Sequence, residues 1–176
     1  MGDSQPRRIE EFVAREIALA LMLLALVLVQ SALLLPTTLS PLLVLMLCRS
    51  LLVGPASASR WALYGGLSLD LMASSFLGTH TIALLSALLL PWWLLSRLSR
   101  SNWLLPILGV GIGATIYYAV LGLLTSWLVA PVPAQIYGLI VVLPGVLLAL
   151  IPSLPVYLCM RWLEERRRGE VPIEIY

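Results

Sequence analysis

The sequence predicts an all-α, polytopic membrane protein, a single domain of six transmembrane helices with both termini on the same side. Three observations carry this. The chain is 60% hydrophobic and 11% charged, with a mean hydropathy of +0.98, whereas soluble domains are about half apolar and about a quarter charged. Its apolar residues fall in runs long enough to cross a hydrocarbon core, which takes roughly 20 residues of helix. Its charges lie between those runs, and the basic ones recur on alternate sides.

The first span is Ile17 to Leu35, residues 17–35, and stops at Pro36. The second is short, residues 38–53, and contains Arg49, which is expected to snorkel toward the headgroups. "GPASAS" (Gly54–Ser59) reads as a loop. The third span, residues 60–77, carries Asp70 and is closed by Gly78, which tolerates a left-handed cap. The fourth, residues 79–96, runs into "RLSRSN". The fifth, residues 103–129, is long enough to tilt, and "APVPAQ" forms the turn after it. The sixth, residues 134–162, holds Pro144, Pro152 and Pro155, so kinks or a break are expected.

Charge sets the orientation. All eleven basic residues are arginine. They precede span one (Arg7, Arg8, Arg15), flank the loop after span two (Arg49, Arg60), follow span four (Arg97, Arg100) or follow span six (Arg161, Arg166–Arg168). The three opposite loops, "PTTLSP", "SSFLGTHT" and "APVPAQ", hold none. The positive-inside rule then puts both ends in the cytoplasm. Trp61, Trp92, Trp93, Trp103 and Trp162 lie near the cytoplasmic boundaries and Trp127 near the outer one, as expected of an aromatic belt. The lipid bilayer is the expected surroundings, and no nucleic-acid partner is expected. The charged N-terminal segment lacks a cleavable signal pattern.

Asp70 is the only acid between Glu16 and Glu164. It falls about ten residues into span three, roughly 15 Å from Arg60 along a helix, where insertion costs about 2.5–3.5 kcal/mol. Gly66, Ala73 and Ser74 share its helical face, so the carboxylate should point into protein. Three readings compete: a buried structural acceptor bonded by neighbours such as Ser74 or Tyr118, the wall of a ligand or ion cavity, or a member of a proton relay. A relay should bring further acids, histidines or lysines to membrane depth, and none is present. His80 falls about 15 Å from Asp70 if the helix is continuous and reads as a surface or loop-capping residue.

Gly109 and Gly113 have the spacing of a helix-packing groove, for a partner or within the bundle. Ala14 and Ala18 form a similar pair. Glu164 and Glu165 with the arginines after them resemble a paired-glutamate protease motif, but they fall past the membrane and lack the histidines of a metal site. Cys48 and Cys159 with one histidine make no structural zinc site, and both fall on the cytoplasmic side, where a disulfide is not expected. No nucleophile elbow or phosphate loop is present. No catalytic residue, metal or cofactor is expected, and the chain reads as no enzyme.

Gly66, Asp70, Gly78 and His80, in "GGLSLDLMASSFLGTHTIALL", resemble the hairpin of the bacterial rod shape-determining MreD family. Length, six spans and short charged ends are similar too. Two positions depart: Leu42 follows Pro41 where relatives often carry an aspartate, and Phe76 stands where a proline is common. The resemblance implies a scaffold of the rod complex in the bacterial inner membrane. It implies binding to the bitopic protein MreC, through its transmembrane and juxtamembrane region, and indirect action with MreB, RodA and RodA's transpeptidase partner. It also implies a fold like the S-components of energy-coupling vitamin transporters. The alternative is then a substrate-binding transporter subunit with Asp70 in its cavity.

Overall fold

A computed structural model describes residues 5–32, 40–73, 76–95, 104–129 and 133–169 of the chain. Every element among them is helical: α1 (Gln5–Ala32), α2 (Pro41–Val53), α3 (Pro55–Met72), α4 (Thr79–Leu95), α5 (Leu104–Leu128), α6 (Ala134–Tyr137), a π-helical segment (Gly138–Val142) and α7 (Leu143–Gly169). Two stretches are long and apolar enough to cross a membrane, Leu104–Leu128 and the run Ala134–Arg166; Glu16–Val29, Pro41–Val53 and Thr79–Leu95 are shorter apolar helices.

α2 is the hub. It touches α1, α3, α4, α5 and α7, and Leu42, Leu43, Val44, Met46, Leu47, Cys48, Ser50 and Leu51 bury around most of its circumference, leaving only the face of Leu45, Arg49 and Leu52 partly open. A helix apolar on every side belongs inside a bundle. Ser40 caps it, accepting the Leu43 N–H at 3.3 Å, and Pro41 opens the first turn, where a missing N–H costs nothing. Residues 38 and 39, expected in this span, lie outside the described residues. The Cys48 thiol faces the Ser153 carbonyl of α7 at 3.7 Å. α4 packs between α3 and α5, and α7 closes the bundle over α2 and α5. α1 leans on α3 and α2, with Leu23 and Val27 buried.

Several boundaries differ from the sequence reading. "GPASAS" is not a loop. Gly54 turns the chain with φ +112°, and Pro55 starts α3 at once. Proline and small residues read as irregular but are well suited to a first helical turn. α3 ends at Met72, with Ala73 as its last capping residue, so it does not continue to Leu77. Arg49 donates to Ser57 Oγ at 3.0 Å and its guanidinium stacks 4.2 Å over the Trp61 ring. The α2–α3 corner therefore holds it. On the same end, Arg60 pairs with Glu16 of α1 at 3.0 Å.

The proline-rich sixth segment does not break. α6, the π-helical segment and α7 run on from Ala134 to Gly169. Pro144 comes one residue after the π-helical segment, second in α7, and the Leu143 N–H reaches back to Gly138 O. A π-bulge widens the turn just where the Pro144 ring would collide with the preceding carbonyls. Pro152 and Pro155 are carried inside α7.

Candidate functional site: the Asp70 clasp

The site is built where α3 ends and α4 begins. Asp70 stands in the last turn of α3 and is 2% exposed. Its Oδ2 accepts the Gly78 backbone N–H at 2.8 Å and the Thr81 hydroxyl at 3.0 Å. Its Oδ1 accepts the His80 backbone N–H at 2.8 Å. Gly78 precedes α4, and Thr79, His80 and Thr81 open it; the first N–H groups of a helix have no partners within it. An N-cap side chain normally takes one of them. Gly78 has no side chain, and Asp70 supplies the oxygens from the neighbouring helix. A carboxylate at the last turn of its own helix meets the negative end of that dipole; the positive end of α4 offsets this.

Each member of the sequence motif has a physical task. A Cβ on Gly66 would sit 2.6 Å from Thr81 Cα and 3.0 Å from Thr81 N, so only glycine lets the two backbones approach. Asp70 follows one turn later at the height of the α4 start. Gly78 has φ +98°, a region that glycine occupies without strain. Within the turn, the Thr79 N–H and hydroxyl both donate to the Phe76 carbonyl, and the Ile82 N–H donates to Gly78 O at 2.8 Å.

His80 is half-buried, and its Nδ1 lies 2.9 Å from the Tyr117 hydroxyl of α5. The Tyr117 and Tyr118 rings pack edge to face at 5.1 Å. Tyr118 lies against α7, where a Cβ on Gly145 would meet its ring at 2.5 Å. A continuous path of contacts thus joins Asp70, His80, Tyr117, Tyr118 and Gly145 across α3, α4, α5 and α7.

The expected separation of about 15 Å between Asp70 and His80 is overturned. It assumed one unbroken helix, but α3 stops after Met72 and the chain folds back. His80 is not a surface residue; it belongs to the clasp. Ser74, expected beside Asp70, lies outside the described residues. Thr81 and Tyr117 were missed by the sequence reading. Thr81 sits three residues after Gly78, the usual reach of a helix-capping interaction, and that spacing was its only signal.

Gly109 and Gly113 do not form a partner face. A Cβ on Gly109 would meet Leu51 at 2.5 Å, and one on Gly113 would collide with Leu47 and lie 3.1 Å from Ala87 O. Both are buried against α2 and α4. Pro91 has no N–H to offer the Ala87 carbonyl, which here faces the Gly113 backbone. The outward glycine is Gly111, which with Thr115 and Leu108 lines a groove of about 450 Å³ against Val146 and Leu150. Among the described residues no group of His, Cys, Asp and Glu is placed to hold a metal ion. Comparison with family models, with curated proteins and with solved structures returned no match to this chain.

Proposed function

We propose that this chain is a membrane scaffold of the MreD type. It crosses the bacterial inner membrane six times with both termini in the cytoplasm. Its fold is of the S-component kind. It holds the transmembrane and juxtamembrane region of MreC, and through MreC it acts on MreB, RodA and RodA's transpeptidase partner during cell-wall elongation. It makes and breaks no bonds; its task is to hold a fixed shape in lipid.

The observation that carries the reading is the Asp70 clasp. The four residues that resemble the family hairpin, Gly66, Asp70, Gly78 and His80, act together as one structural device, and the carboxylate is occupied by donors of its own chain. The membrane part of the reading draws on the outer surface. Leu67, Leu77, Leu89, Leu123, Leu139 and Ile151, from different parts of the bundle, all face outward. Large apolar side chains exposed on so many elements are the mark of a membrane or interaction face.

Co-purification tests it. The chain should bring down MreC from the same genome after detergent extraction, and also an MreC fragment reduced to its transmembrane helix and juxtamembrane region. Equal recovery of MreC with an unrelated transmembrane helix would sink the assignment. A rise in melting temperature on adding a vitamin-like compound would favour the transporter-subunit alternative.

A further inference from the structure

We propose that Phe76 and Leu77, just before α4, lie inside the bilayer, most of one leaflet below the outer face, and that acyl chains of outer-leaflet lipid rest on them. This rests on the membrane reading above and is independent of the partner assigned there.

The helices do not end at one level. Gly113 of α5 lies opposite Leu47 of α2 and Ala87 of α4, and Tyr117 meets His80. From these contacts α2 and α4 soon reach their ends at Pro41 and Thr79, while α5 runs on to Leu128. At 1.5 Å per residue, the tip of α5 stands about 10–15 Å beyond the start of α4. α6 and the π-helical segment run beside it, with the Tyr137 ring against Gly122 and Tyr118 against Gly145. The result is a two-helix prong next to a step whose floor is the α3–α4 turn.

Composition decides which level meets the outer interface. No charged residue occurs between Arg100 and Arg161, and Leu123, Trp127, Leu139 and Ile140 of the prong face outward, Trp127 at 87% exposure. If the turn marked the interface, all of these would stand in water. If Trp127 marks it, the turn lies about 10–15 Å down, close to half of a hydrocarbon core about 30 Å thick. Two features of the turn suit that depth. Phe76 and Leu77 are exposed in it, Leu77 at 73%. Among its described residues, several polar groups are paired within the chain, as lipid requires: Asp70 takes the Gly78 and His80 N–H groups and the Thr81 hydroxyl, and the Phe76 and Gly78 carbonyls take donors from Thr79 and Ile82. The step is close to one leaflet high; its wall is apolar, and Phe76 and Leu77 present apolar side chains on its floor, which matches acyl chains.

Spin-label depth measurement tests it. In a Cys159→Ser background, Leu77→Cys and, separately, Phe76→Cys are labelled with a nitroxide; both sites are exposed, so the label needs no repacking. The full chain is reconstituted in phosphatidylethanolamine–phosphatidylglycerol vesicles, and collision with oxygen and with a water-soluble nickel chelate is compared. Leu147→Cys on α7 reports the same level on the outer wall, and Val129→Cys reports the prong tip. The expected result is an oxygen-to-nickel ratio at Leu77 several-fold above that at Val129 and close to that at Leu147. Nickel access at Leu77 equal to that at Val129 would overturn the proposal by placing the turn at the surface. Low access to both reagents would overturn it by showing protein over the turn. A Leu147 label exposed to nickel would overturn the membrane reading as well, which separates the two failures.

Discussion

The Asp70 carboxylate of α3 receives the backbone N–H of His80 at 2.8 Å, ten positions further along the chain and on the next helix. An N-cap is usually local, within three residues of the groups it serves. Here it is supplied across a helix pair, so the cap and the α3–α4 packing are one interaction. Removing either removes both.

Asp70→Asn should lower stability without changing how the chain inserts. The amide can accept through its single oxygen, but its NH₂ then faces a backbone N–H that needs an acceptor. The loss should be about 1–3 kcal/mol, the range for leaving a buried donor without a partner. Thermal unfolding in detergent measures it, and a melting temperature equal to wild type would count against the capping role.

Gly66→Ala and Gly65→Ala should behave differently although the two are adjacent. The new methyl at Gly66 meets the Thr81 backbone, whereas at Gly65 it meets the flexible end of Met46. Backbone cannot step aside, so Gly66→Ala should cost about 1–3 kcal/mol, as overpacking does, and Gly65→Ala clearly less. Equal losses would mean that close α3–α4 approach is not what Gly66 provides.

Gly113→Leu and Gly111→Leu should separate folding from surface. A Cβ at Gly113 already collides with Leu47 and crowds the Ala87 carbonyl, while one at Gly111 meets only Leu150, at 3.6 Å, and the rest of the side chain has the open groove to enter. Yield of folded protein on size-exclusion chromatography should collapse for the first and hold for the second. The reverse order would place the bundle interior on the other face of α5.

The Glu16–Arg60 pair should matter little. Its arginine side chain is 54% exposed and its glutamate 19%, and an ion pair open to solvent at the arginine contributes about 0–1 kcal/mol, screened by salt. Arg60→Gln should change the melting temperature by no more than a few degrees at low salt and less at high salt. A large, salt-independent loss would show a different role for Arg60.

Much of the architecture can be read in the residues, for reasons that differ from element to element. α4 and α5 are uninterrupted apolar runs, and the structure bounds them at Thr79–Leu95 and Leu104–Leu128, within a residue of the expected limits. α3 was harder. Its first turn is made of Pro55, Ala56 and Ser57, which composition alone assigns to a loop, and its end at Met72 is set by Asp70 drawing in α4. A tertiary contact of that kind leaves no local signature. The π-helical segment before Pro144 was hidden for a related reason: proline announces a disturbance but not whether the helix breaks or widens. Gly66, Asp70, Gly78 and His80 were legible as a set. Their common purpose was not, because it depends on the chain turning back between Ala73 and Thr79.

Amide hydrogen exchange at Gly78 and His80, compared between the wild-type chain and Asp70→Asn, measures the clasp itself. If the carboxylate holds the start of α4, both amides exchange slowly in wild type and lose that protection in the variant, while amides in the middle of α4 keep theirs. Unchanged protection at Gly78 and His80 would mean that something other than Asp70 secures the turn.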